Sequence, residues 1–177
     1  MAHAVEACTM LSKNPLSDAH AREAMGLIKT HLPDVILNPS NKEGRLALAT
    51  AATLAGIGFS NSMVGMVHAL GHSFGSVCHI PHGNCMAILL PYGLEYNLHK
   101  IEDQLGKLLF VLAGPDVYAI TPEEQRALET IAWIRQFNQA LCTATNKMHA
   151  TCFKDMKDKD GNRRVPEERL PDIALTA

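Results

Sequence analysis

His68 and His72 stand four residues apart within His68-Ala-Leu-Gly-His72-Ser-Phe-Gly-Ser-Val-Cys-His79-Ile-Pro-His82-Gly-Asn-Cys85, a stretch holding four of the chain's nine histidines. On a helix this spacing puts both rings on one face, a turn apart. A break follows at Gly75, and Pro81-His82-Gly83 then opens a second apolar run, Met86 to Leu90. Proline just ahead of a helix, with histidine in its first turn, points the His82 ring back toward the preceding helix. The stretch therefore predicts a helix, a corner and a helix. Neutral imidazoles converging from two such helices suit a first-row transition metal.

The rest of the chain agrees with a helical fold. Apolar residues make up 47% of the 177 and aromatics only 5%, so Ala, Leu, Ile, Met and Val must fill the interior. That is the profile of packed helices more than of sandwiches or barrels. A net charge of -2 leaves no basic excess for nucleic acid or an anionic membrane surface. Five cysteines at irregular spacings do not form a disulfide framework, which favours a reducing cytoplasm. The longest near-apolar run, Leu46 to Phe59, is too short and too threonine-rich to span a bilayer.

Apolar periodicity predicts helices over Met1–Leu11 and Ala19–Leu32, the second capped by Ser17-Asp18, with a short extension from Pro33 to Leu37. Asn38-Pro39-Ser40-Asn41 reads as a loop, and Lys42–Phe59 as an Ala/Gly/Thr-rich helix that a neighbour can approach closely. Helices over Met63–Phe74 and His82–Leu90 carry the histidines, with a bend at Pro91 and helix continuing toward Asn97. Ile101–Leu112 is amphipathic and stops at Gly114-Pro115. Thr121-Pro-Glu-Glu124 has the cap, proline and first-turn acids of a helix start, and that helix runs to about Thr143. Residues 153–164 read as charged loop, and Pro166-Glu-Glu starts one more helix. No period-two alternation and no internal repeat is present. The expected class is all-α.

Isolated histidines are ordinarily surface or satisfied core residues, and His20, His31, His99 and His149 fall in that class. His68, His72 and His82 are clustered in an apolar, glycine-broken context, and the choice there lies between a metal site with neutral imidazole ligands and ordinary surface or core histidines. A zinc knuckle from Cys78, His79, His82 and Cys85 lacks a CxxC and a second paired unit, so those cysteines read as small core residues. Met156-Lys-Asp158-Lys-Asp160-Gly161, with Glu167, imitates a calcium loop. It has Met156 where the first carboxylate belongs and Arg163 where an apolar anchor belongs, and reads as a solvated turn. The chain has no GxGxxG or Walker-type loop to seat a pyrophosphate.

Met1-Ala-His3-Ala-Val-Glu6-Ala, with Gly65-x-x-His68-Ala-x-x-His72-x-x-Gly75, Pro81-His82-Gly83 and Leu90-Pro91, resembles the iron-containing (group III) alcohol dehydrogenases through nearly the whole chain. The resemblance implies the multi-helix bundle of the C-terminal domain shared in outline with dehydroquinate synthase and glycerol dehydrogenase. It implies that His3, His68 and His82 match three histidine ligands of a divalent metal, Fe2+ foremost, with Zn2+ or Ni2+ as alternatives. It makes His72 a residue near substrate and nicotinamide, the candidate for relaying the alcohol proton, with His82 also beside the cofactor. His79 matches no ligand position. The family's fourth ligand, an Asp four residues before the histidine matched by His3, would fall two residues ahead of Met1. The NAD(P)-carrying Rossmann-like domain is likewise outside the sequence. The expectation is one helical metal-binding domain over residues 1–177, truncated at both ends and inactive alone.

For the full-length relative, the resemblance implies an alcohol and NAD(P)+ converted to aldehyde or ketone and NAD(P)H. The expected partners are a small-molecule alcohol or aldehyde, with self-association through the face the missing domain would cover. Two other functions stay open on sequence grounds: a stand-alone metal-binding or scaffold protein, and a related enzyme such as a maleylacetate reductase or one eliminating phosphate in the dehydroquinate synthase manner.

Overall fold

The computed structural model describes residues 1–177, in nine α-helices and no β-strand beyond one isolated bridge between Lys157 and Arg163. The helices are α1 (Ala2–Thr9), α2 (Pro15–Leu37), α3 (Lys42–Ser60), α4 (Met66–Cys78), α5 (His82–Tyr96), α6 (Leu98–Ala113), α7 (Pro115–Ile120), α8 (Arg126–Ala144) and α9 (Leu170–Thr176). None is long and apolar enough to cross a membrane.

The short helix α1 sits at the centre, packed on α2, α3, α5 and α6. Its small residues permit this: Ala4, Val5, Ala7 and Cys8 are all buried. Glu6, the one charged residue of the helix, is buried with them, at 3% exposure. Around α1, helices α2 and α3 form a hairpin, α4 pairs with α5, and α6 pairs with α8. A single apolar core runs through these pairs, from Met25 of α2 and Val67 of α4 to Leu90 of α5, Leu105 and Leu108 of α6, and Ile131 and Ile134 of α8.

Helix ends differ from the sequence expectation where capping chemistry decides them. α2 begins at Pro15, ahead of the expected Ser17-Asp18 cap, because Asn14 is the cap. Its Oδ1 accepts from the amides of Leu16 and Ser17, and Ser17 Oγ accepts from the Asn14 amide in return. Pro33 lies inside α2, and Pro91 inside α5, without ending either helix. Thr121 caps nothing. Its hydroxyl donates back to the Val117 carbonyl at the end of α7, and Glu123–Gln125 form a 3-10 turn before α8.

The segment after α8 is more than charged loop. Phe153 stacks on Phe74 at 4.2 Å between centroids, and Met156 and Val165 join the core. Arg164 donates to the His79 carbonyl at 2.6 Å and Arg169 to the Val77 carbonyl at 3.4 Å. Both cations thus meet the C-terminal end of α4, where carbonyls lack helical partners and the helix dipole is negative. The calcium-like turn is occupied internally: Asp158 accepts from the amides of Asp160 and Asn162, which also hold its carboxyl below the usual range.

Candidate metal centre

Three helices deliver the site. His3 comes from the first turn of α1, His68 from the first turn of α4, and His82 is the first residue of α5. The reversal between α4 and α5 depends on His79, which ends α4 in the left-handed conformation at φ 52°, and on Ile80, which buries itself beneath the corner. Pro81 then caps α5 with extended backbone, so that His82 faces back across α4. Along the pair, α4 and α5 approach at Gly71, where an added Cβ would come within 3.5 Å of the Cβ of Cys85 and would displace the tip of Met86.

One nitrogen from each of His3, His68 and His82 lies within 4.8 Å of the other two. No other group of three or more His, Cys, Asp or Glu side chains in the chain gathers donors this way. The His3 ring is sandwiched between Phe59 of α3 and His68, each at 4.4 Å between centroids. His68 and His82 are 5.4 Å apart by centroid, and His3 and His82 are 6.0 Å apart. His72 lies at the edge, stacked on His82 at 5.2 Å and exposed to solvent. Burial and the neighbouring His68, N-terminal amine and His82 push the His3 imidazole down to about 4. His82 is lowered by the same partial burial and by His68 and His72. Both shifts favour the neutral imidazole at His3 and His82, the form that binds metals.

His68 is the buried member, 2% exposed. Its Nδ1 donates to Oε2 of Glu6, while its Nε2 is buried with no hydrogen-bond partner. An orphaned buried imidazole nitrogen facing two further imidazoles is costly unless something accepts its lone pair. The chemistry of that donor set, three imidazole nitrogens, suits a divalent first-row cation.

The structure thus brings His3, His68 and His82 together and sets His72 beside them. It leaves His79 outside, exposed at the corner with its carbonyl taken by Arg164. The knuckle alternative does not assemble, since Cys85 is buried under the corner with its thiol directed at the Ile80 carbonyl, its pKa raised to about 11 by burial. Two participants escaped sequence reasoning. Phe59 backs the His3 ring from a helix distant in sequence, and no local pattern marks it. Glu6 left a signal, as the lone charge in an otherwise apolar helix.

Comparison with known proteins bears on this geometry. Residues 1–159 match the family model described as the Fe-containing alcohol dehydrogenase family, C-terminal. The chain is similar to alcohol dehydrogenase 4 of Saccharomyces cerevisiae, 36% identical over 110 residues that cover 61% of this chain and 29% of that protein. It is similar to 1,3-propanediol dehydrogenase of Klebsiella pneumoniae, 41% identical over 98 residues that cover 55% of this chain and 25% of that protein. The solved structure of a 1,3-propanediol oxidoreductase superposes with a TM-score of 0.81 at 29% identity, over 98% of this chain and 42% of that one. The chain therefore spans 29% and 25% of the length of these two curated relatives. On the family match over residues 1–159, the chain belongs to the iron-containing alcohol dehydrogenase family and corresponds to its helical C-terminal part.

Proposed function

We propose that residues 1–177 form a helical domain supplying the metal side of the active site of an NAD(P)-linked alcohol dehydrogenase. His3, His68 and His82 are the metal ligands and His72 is the proton-relaying residue. The observation that carries this reading is the convergence of three imidazole donors within 4.8 Å, one of them the buried, unpartnered Nε2 of His68. Family membership supports it, as do relatives whose names describe oxidation of propanediol and methanol.

When bound, a divalent metal, Fe2+ foremost, supplies Lewis-acid polarisation of an alcohol oxygen, which favours departure of hydride to the nicotinamide. The chain's own groups do the rest. His68, buried and hydrogen-bonded, is the fixed member of the trio. His3 is held in place by stacking on Phe59, and His82 closes the set at the exposed end of α5. His72 lies one turn along α4 from His68 and opens to solvent beside His82. Its free imidazole is placed to take the hydroxyl proton of an alcohol at that edge and pass it to water. The chain carries no glycine-rich phosphate loop, so the nicotinamide nucleotide is held by a separate nucleotide-binding domain. The substrate is a small alcohol or aldehyde, and the chain alone does not turn over.

The test joins this chain to the nucleotide-binding region of a propanediol dehydrogenase and follows NADH or NADPH formation with a panel of short alcohols. The expected result is metal-dependent turnover that falls to background on His68→Ala and by about 100-fold on His72→Ala, in the range for losing a proton-transfer group. Turnover indifferent to both substitutions would refute the assignment.

A further inference from the structure

The carboxylate of Glu6 accepts three hydrogen bonds, and none comes from its own helix. Oε1 accepts from the amides of Gly65 at 3.0 Å and Val67 at 3.2 Å, and Oε2 accepts from Nδ1 of His68. The two amides belong to the N-terminal end of α4, whose cap residue Gly65 has no side chain to satisfy them. Both partners of the Glu6–His68 contact are buried, at 3% and 2% exposure. Gly65 also leaves room for the carboxylate: a Cβ there would lie 3.3 Å from Oε1.

We propose that Glu6 is a positioning residue for the metal centre, fixing His68 in the one tautomer whose Nε2 lone pair faces His3 and His82. A carboxylate only accepts hydrogen bonds, so the proton of the neutral imidazole stands on Nδ1 and Nε2 is left bare. The same carboxylate is tied to two backbone amides of α4, so ring and helix start move as one body. This arrangement lowers the reorganisation needed to bind a cation and raises the donor strength of the ring, as carboxylate–histidine pairs do behind metals. It also gives α1 a double role, contributing His3 directly and orienting His68 through Glu6. The inference rests on the reading of His3, His68 and His82 as ligands, but the tautomer it assigns is a property of the metal-free chain.

Glu6→Gln tests it with little change in shape. The amide oxygen still accepts from Gly65 and Val67, but the amide nitrogen faces Nδ1 as a donor. The imidazole proton is then driven to Nε2, the atom that must be bare. Two readouts are compared at pH 7.5: long-range 1H–15N spectra of the metal-free protein, and Zn2+ affinity by competition with a chromophoric chelator. The expected result is a His68 proton on Nδ1 in the parent and on Nε2 in E6Q, with Zn2+ affinity lowered about 10- to 100-fold in the variant. A proton on Nε2 of His68 in the parent, alone or in addition to Nδ1, overturns the proposal even if the variant fails to fold. Folded E6Q that binds Zn2+ within twofold of the parent also overturns it. A parent that binds no Zn2+ overturns the ligand reading itself, a separate and distinguishable failure.

Discussion

The imidazole of His3 lies stacked against that of His68 at 4.4 Å, with 29° between the ring planes, so the first turn of α1 touches the first turn of α4 at their functional side chains. The two rings are held close by packing from Phe59 on one side and by Glu6 on the other. Substitutions at the trio should therefore separate into those that damage packing and those that remove only a donor.

His68→Ala and His82→Ala are expected to behave differently in stability and alike in binding. His68 is buried and hydrogen-bonded, so its removal leaves a void and strips Glu6 Oε2 of its partner, costing about 3–5 kcal/mol. His82 is exposed, and its removal should cost within about 0.5 kcal/mol. Chemical denaturation of the metal-free variants reads the first contrast. Metal titration should show both weakened by about 100-fold or more.

Acid should loosen the metal-free fold through His3. Its imidazole is lowered from 6.5 to about 4 in the folded chain, so between those values the unfolded chain binds more protons. Stability from this group is complete above about pH 6.5, declines as pH falls toward 4, and levels off below. His3→Phe, which keeps an aromatic ring against Phe59, should flatten the slope of urea-denaturation stability between pH 6.5 and 4.5 relative to the parent.

The buried thiols should be inert. Burial raises Cys8 to about 12, and the Asp18 carboxylate beside it adds to the shift. Cys85 is raised to about 11. Neither forms thiolate near neutrality, and neither is accessible. Alkylation at pH 8 followed by peptide mass spectrometry should label the half-buried Cys152 in the native protein. Cys8 and Cys85 should be labelled only after unfolding.

Asn14→Ala should destabilise the chain by about 1–2 kcal/mol, the range for loss of an N-cap, and leave metal affinity unchanged. Besides capping α2, Asn14 donates to the Asn61 carbonyl at 2.9 Å and so ties the α1–α2 turn to the end of α3. Thermal melts with and without Zn2+ distinguish the two effects.

The helices and the histidine cluster were legible because their signals are local. Apolar periodicity marked the long helices, and the i, i+4 pair with Pro81-His82 marked the corner. His3 came from family resemblance, since nothing in its own neighbourhood distinguishes it from a surface histidine. The cap of α2 was misplaced because Ser17 is a good cap residue by type, yet it serves as the reciprocal partner of Asn14. Thr121 departs from its cap signature for a similar reason: ahead of proline and acids, its hydroxyl has a competing local acceptor, the Val117 carbonyl. Phe153, Met156 and Val165 were hidden by the charges around them, and their burial depends on Phe74 and the core of α4, which only the tertiary fold supplies. Glu6 shows in the sequence only as a lone charge in an apolar helix, because its partners lie on another helix.

The central claim is that His3, His68 and His82 form one metal site, and calorimetric titration of the metal-free chain with Zn2+ tests it most directly. One saturable ion per chain, weakened severely by alanine at each of the three positions and unaffected by His79→Ala, is the predicted result. No saturable binding, or binding that survives replacement of all three histidines, would contradict it.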